Sequence, residues 1–371
     1  MADLPYDHSG KRRLQALEKA LQKRGRDLAV LLVYDRPSLV EERPGLARTF
    51  FAERCVPDSQ LHEMSNAFRA IGAHVEIFDG DHRFLEALAD GRHGRIDRSL
   101  LVAYNGLGYS VGDGAFRPGR KSLIPLVADS YGFTCANSDA YACAFTLHKF
   151  HCFTLLYTLG VNAPMTWGYE PATGWINGLP PIGTKVIAKS NYESWAVGVT
   201  PTSVFTVDDL CTERVSTISE AIGQAVVVQE FISGLEVYVP VLSCPELVAA
   251  PPVESILKRG PHDHDAFVTI DDNLSEDSLS YRRFDSSDTV QERLCREAKQ
   301  IFGLLQMEGL GRIDFRVDAK GQPWVIDVAI SPGMEVGGSA SKSLAEFGFE
   351  HPSFIRLAVA ASLATRGLLA A

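Results

Sequence analysis

The run from Gly309 to Met334 constrains this chain more than any other stretch. It reads as two strands joined by a tight turn. Ile313, Phe315 and Val317 alternate with Arg312, Asp314 and Arg316, the period of a half-buried strand. Asp318 to Gln322 carries the Asp and Gly of a hairpin connection. Trp324, Ile326 and Val328 then alternate with Val325, Asp327 and Ala329. Folding the second strand onto the first brings Asp314 close to Asp327, with Arg312 just ahead of the first carboxylate. Two converging carboxylates are costly unless a cation sits between them. A hard, oxygen-seeking ion such as Mg²⁺ meets that need. For the hairpin taken alone, a pair of solvated edge-strand acids is the other reading.

The rest of the chain supplies a scaffold for such a hairpin. Its 371 residues suffice for two or three domains with their own cores. Leu14, Leu17 and Leu21 line one face of an amphipathic helix over 11–24. Leu28 to Tyr34 is a continuous apolar run, as in a strand of a parallel sheet covered on both faces. Helix over 58–71, strand over 74–78, a short helix over 84–88 and strand over 100–104 continue a β-α-β rhythm. That rhythm predicts a doubly wound sheet with ligands at the strand C-termini. Tyr34 to Ser38 and the glycine-rich Asn105 to Gly114 follow two of those strands. A helix over 121–131 and a long one over 139–159 come next, with Lys149 inside the second.

Val186 to Lys189 reads as a strand, and Ser190 to Gly198 as a loop whose amides can cradle an anion. Val226, Val227 and Val228 make a buried strand that ends in Gln229, Glu230, Phe231 and Ile232, with Glu236 shortly after. Residues 251–285 are polar and read as a long irregular segment, a lid or a disordered loop; its His262 and His264 read as solvated side chains. Helices are predicted over 290–305 and 353–369. The formal net charge of −10 argues against nucleic-acid binding. Seven dispersed cysteines read as reduced thiols, and no run is apolar enough for a membrane span. The expectation is a cytoplasmic protein with no membrane or nucleic-acid partner; a homodimer is left open.

Gly311-Arg312-Ile313-Asp314, Asp327-Val328-Ala329 and Pro332-Gly333-Met334 resemble the metal-binding hairpin of ATP-grasp enzymes. The likeness is greatest to the D-alanine–D-alanine ligase branch, which carries Gly-Arg-x-Asp, Glu-x-Asn and Pro-Gly-Met at that spacing. The resemblance implies an ATP-grasp fold of the α/β class. It would have an N-terminal doubly wound domain (1–138), a small central α+β domain with the phosphate loop (139–232) and a C-terminal α+β domain with the hairpin (233–371). It implies a ligase that joins a small carboxylate to an amine, amino acids or their derivatives, through an acyl phosphate, using ATP and Mg²⁺ (Mn²⁺ able to substitute).

By the same resemblance Lys149 and Lys189 hold phosphates, and Glu193 keeps the register of the phosphate loop. Gln229, Glu230, Phe231 and Ile232 flank the adenine, and Glu236 accepts the ribose hydroxyls. Asp314 and Asp327 hold metal, while Arg312 and the amide of Gly333 stabilise the reacting centre. Asn105, Trp195, Gly338 and Ser339 fall in the amino-acid site. Four departures from the branch, at Asn105, Trp195, Asn273 and Gly338, lie in that site. They imply a specialised biosynthetic ligase, or an intramolecular cyclo-ligase, and not a D-Ala–D-Ala ligase. Ala329 stands where the branch has a metal-binding Asn, so one Mg²⁺ is expected to bind well and a second weakly. The other class of reading is a nucleotide-binding pseudoenzyme or regulatory subunit.

Overall fold

The computed structural model describes residues 8–36, 55–106, 118–260, 263–275 and 277–370. Three sheets account for the expected rhythm. The first is parallel, in the order β2 (His74–Asp79), β1 (Leu28–Tyr34), β3 (Leu100–Gly106), β4 (Thr134–Ala136). Every residue of β1 is buried, because helices cover both faces of the sheet. Leu28, Val30 and Leu32 pack with Leu14, Leu17, Leu21 and Phe68 on one side. Leu31 and Val33 pack with Phe84 and Ile124 on the other. Each such side chain contributes about 1.5–3 kcal/mol relative to exposure. The helix His351–Thr365 joins the first of these clusters, so the end of the chain helps to close the N-terminal core. Glu18 and Arg356 form a buried ion pair across that contact.

The second sheet is antiparallel: β6 (Gly174–Trp175), β5 (Thr166–Glu170), β9 (Val226–Glu230), β7 (Lys185–Ser190), β8 (Val204–Thr206). The third runs β13 (Leu279–Arg283), β12 (Val253–Leu257), β10 (Leu235–Ser243), β14 (Leu310–Val317), β15 (Pro323–Ala329), with β11 (Leu247–Ala249) beside β10. β14 and β15 are the expected hairpin. Asp318 turns it by accepting from the amides of Lys320 and Gln322, both at 2.9 Å. Among the described residues no helix is long and apolar enough to cross a membrane.

Three sequence expectations need correction. The helix expected over 139–159 is two, Ala140–Leu147 and Lys149–Thr158, broken at His148 (ψ 84°). The break is stabilised from outside. Asn191 accepts from the Lys149 amide through its carbonyl (3.1 Å) and from the Phe150 amide through its side chain (2.9 Å). The segment 251–285 is not an irregular loop: it contains β12, a short helix Ile270–Leu274 and β13. Its charges hid the strands because they pair across the ladder, as Arg282 Nε does with Glu254 at 2.8 Å.

The alternation expected in the second hairpin strand also slips. Asp314 lies opposite Asp327 but Phe315 lies opposite Val325, which leaves Ile326 as an extra residue. Val325 and Val328 therefore both enter the core, while Ile326 lines the cleft. Smaller shifts affect helix ends: Leu123–Ser130 and His351–Thr365 replace 121–131 and 353–369. Pro37, Ser38, most of the glycine-rich run after Gly106, and His262 lie outside the described residues.

Candidate active site

A cleft of about 610 Å³ lies between the second and third sheets and ends against the turn after β15. The ladder geometry decides which side chains enter it. Arg312, Asp314 and Arg316 share one face of β14 by period two, and all three line the cleft. The bulge at Ile326 re-aims Asp327 toward the same space.

Arg312 clamps Asp314 with two parallel bonds, Nε to Oδ1 at 2.6 Å and Nη2 to Oδ2 at 2.7 Å. Its third nitrogen donates to Ser339 Oγ at 2.8 Å, and its plane lies 4.9 Å from the Tyr238 ring. Burial, reinforced by the charge of Asp327, pushes the Asp314 carboxyl up to about 6 against the pull of Arg312. Asp327 behaves in the opposite way. Burial works to raise it, but the ammonium groups of Lys149 and Lys189 prevail and hold it below the ordinary range. Lys149 Nζ pairs directly with Asp327. Lys189 Nζ donates to the Ile326 carbonyl at 3.3 Å, and burial lowers that amine to about 8.

The loop after β7 is held by a buried ion pair. Glu193 and Arg120, both almost fully enclosed, meet at 3.0 Å, and Gln224 Nε2 donates to the other Glu193 oxygen at 3.3 Å. Arg120 also donates to the Tyr192 carbonyl at 2.6 Å, so the N-terminal sheet's flank grips this loop. Glu193 thus shapes the loop from beneath. At the loop tip Trp195 and Ala196 hold left-handed backbone (φ 65° and 58°), which costs about 1–2 kcal/mol per residue for a side-chain-bearing residue. Asn273 Nδ2 donates to the Trp195 carbonyl at 2.9 Å, and the Trp195 ring, 43% exposed, lines the cleft.

At the opposite end β9 runs out beside Phe231. The amides of Glu230 and Phe231 bond to the Met165 and Lys185 carbonyls (2.9 and 2.8 Å), whereas the amide of Ile232 has no partner among the described residues. Gln229 Nε2 donates to Thr166 Oγ1 at 3.2 Å, and its Oε1 is buried with no partner among the described residues. Glu236 accepts from Arg316 Nη1 (3.3 Å) and from the Tyr238 hydroxyl (3.0 Å). Arg316 in turn donates to the Gly234, His264 and Ala266 carbonyls, each within 2.8 Å, and stacks on Phe231.

The structure therefore brings Lys149, Lys189, Gln229, Glu236, Arg312, Asp314, Asp327, Gly333 and Gly338 to one cleft. Asn105 stands apart from the cleft wall, with its amide donating to the Lys121 carbonyl at 2.8 Å. Ser339 reaches the site through Arg312. Sequence reasoning missed Arg316, Arg120, Tyr238 and Tyr281. For Arg316 the signal was present, since it shares the strand face of Arg312 and Asp314. Among the described residues no cluster of three or more His, Cys, Asp or Glu side chains forms a metal site.

Comparison with known proteins accords with this geometry. Residues 185–359 match the family model for the D-ala D-ala ligase C-terminus. The D-alanine–D-alanine ligase of Bordetella petrii is 24% identical over 293 residues, 76% of this chain and 80% of that protein. That of Pelotomaculum thermopropionicum is 29% identical over 141 residues, 38% of this chain and 43% of its own. The crystal structure of the Bacillus anthracis D-alanine–D-alanine ligase complexed with ATP superposes with a TM-score of 0.64 at 15% identity. It covers 92% of this chain and 99% of that one. The VanG D-Ala:D-Ser ligase of Enterococcus faecalis gives 0.57 at 14% identity over the same shares, 92% and 99%. Fold and cleft together define an ATP-grasp ligase, an enzyme that forms C–N bonds. Within that superfamily the chain belongs to the D-alanine–D-alanine ligase-like branch.

Proposed function

We propose that this protein joins a small carboxylate to an amine at the expense of ATP, and that its substrates are not two molecules of D-alanine. The observation that carries the reading is the run of paired charges across the hairpin, Arg312–Asp314 beside Asp327–Lys149, with Lys189 bonded at its bulge. A phosphoryl group in flight gathers negative charge on its oxygens, and catalysis then consists of positioning and neutralising that charge. Lys149 and Lys189 supply ammonium groups at one side of it. Arg312, pre-aimed by Asp314 and Ser339, supplies a guanidinium at the other.

Gln229 and Ile232 suit the nucleotide base: an unpartnered buried oxygen accepts from an exocyclic amine, and a free amide donates to a ring nitrogen. Glu236 suits the ribose hydroxyls. A substrate carboxylate oxygen attacks the γ-phosphorus and ADP leaves. The amine nitrogen then attacks the acyl carbon, and phosphate departs with the C–O electron pair. Arg312 and the Gly333 amide face the oxygen that carries charge in that second step.

Asp314 and Asp327 fit a divalent cation: they lie opposite each other in the ladder, and burial together with the Asp327 charge holds Asp314 up to about 6. Bound there, Mg²⁺ would neutralise phosphate charge. Ala329 offers no further oxygen, which favours one well-held ion. The specialised substrate is supported by the left-handed Trp195 on the cleft wall and by Gly338, which has no side chain to hold a ligand. A panel of carboxylates incubated with MgATP and hydroxylamine tests the reading. Acid-dependent ADP release with hydroxamate formation is expected; ATP left intact across a broad panel contradicts it.

A further inference from the structure

The turn between β15 and the helix Ser339–Glu346 closes the cleft beyond Arg312, and it carries an acid that the reaction above does not use. Glu335 folds its carboxylate back over two glycines. A Cβ on Gly333 would lie 2.1 Å from its Oε2, and one on Gly338 2.4 Å from its Oε1. Glycine at both positions is therefore what allows the carboxylate to lie where it does. Gly338 caps the following helix, an end whose free amides favour a negative group. The Glu335 carboxylate lies beside that end, in the space an anionic ligand would take.

Charge around the cleft is otherwise balanced. Asp314 is matched by Arg312, Asp327 by Lys149, and Glu236 by Arg316. Glu335 lines the same cleft and makes no ion pair or hydrogen bond through its side chain among the described residues. Buried phenols stand around it. Tyr34, Tyr104 and Tyr281 are each raised first by burial, and the Glu335 charge adds to the rise. An uncompensated carboxylate in such a setting attracts an ammonium group and repels a carboxylate.

We propose that Glu335 determines the second substrate, selecting a cationic amine with no carboxylate beside its amino group: a decarboxylated amino acid, a diamine or an amino-acid amide. The inference rests on the ligase reading for the identity of the site as an amine site. Its test is a binding measurement that does not depend on turnover. Calorimetry on the intact protein, with a non-hydrolysable ATP analogue and Mg²⁺, compares D-alaninamide with D-alanine, ethanolamine with serine, and putrescine with ornithine. In at least one pair the carboxylate-free member should bind about tenfold more tightly or better, the scale expected of one unscreened charge contact. Glu335→Gln should bring that ratio toward one, and Glu335→Lys should reverse it.

Equal affinities within every pair, preference for the amino acid, no binding by any member, or a ratio unchanged in both variants overturns the assignment. The preference of the unmodified protein is decisive even if a variant does not fold. Hydroxamate formation is read in parallel. A binding preference without hydroxamate leaves Glu335 as the selector and removes the ligase reading. Hydroxamate without a preference does the reverse.

Discussion

The phosphate end of the cleft and the turn that closes it are built on opposite principles. Around the hairpin Asp314 and Asp327 each have a cation in contact, and the groups that hold those cations are fixed by ladder register, by a bulge and by helix capping. Around Ser331 to Ser339 the backbone is a glycine-rich turn, and its one acid has no counter-charge among the described residues. Such a difference suits a protein whose first partner is invariant and whose second is particular to it. A polyphosphate asks for the same cations in any ligase of this fold, while the acceptor site carries whatever discriminates among small molecules.

The sharpest way to break this comparison lies at Arg312, where the two ends meet. Arg312→Ala should lower kcat by on the order of 10²–10³, the usual effect of removing one preorganised oxyanion partner, with far less change in KM for ATP. A loss confined to KM would make the residue a phosphate clamp and move it wholly to the first end. Lys189→Met should act only on the nucleotide. Loss of one charge-assisted bond, about 1.5–3 kcal/mol, weakens ATP binding by roughly ten- to a hundredfold. Unchanged affinity by calorimetry would take the loop after β7 out of the phosphate site. Ala329→Asn is the mildest change. By adding an oxygen beside Asp327 it should reduce the free Mg²⁺ needed for half-maximal activity by about threefold. An unmodified protein that already holds two ions tightly would contradict the single-ion reading.

Much of the first end was legible in the sequence because it obeys short periods. The apolar run Leu28–Tyr34 announces a doubly covered strand, and alternation around Asp314 puts it opposite Asp327. What stayed hidden depends on partners distant in sequence. The break at His148 needs Asn191, far along the chain, and no local signal marks it. The slip at Ile326 arises from register between strands and cannot be read from either alone. β12 and β13 were obscured by charges such as Glu254 and Arg282, which look solvated until each is seen to neutralise the other. Glu335 sits in a turn, where no periodicity says which way a side chain points.

The capping of the helix Lys149–Thr158 by Asn191 has a consequence for how the two lysines behave. Asn191 belongs to the loop that begins just past Lys189, yet it grips the first two amides of the helix that begins with Lys149. The two ammonium groups are thereby mounted like the jaws of one calliper, with their gap set by a single residue and not by the flexure of either element. A ligand that fits one jaw meets the other already at the right span. A substitution at Asn191, which touches no ligand, would spoil the measurement by letting the jaws drift apart.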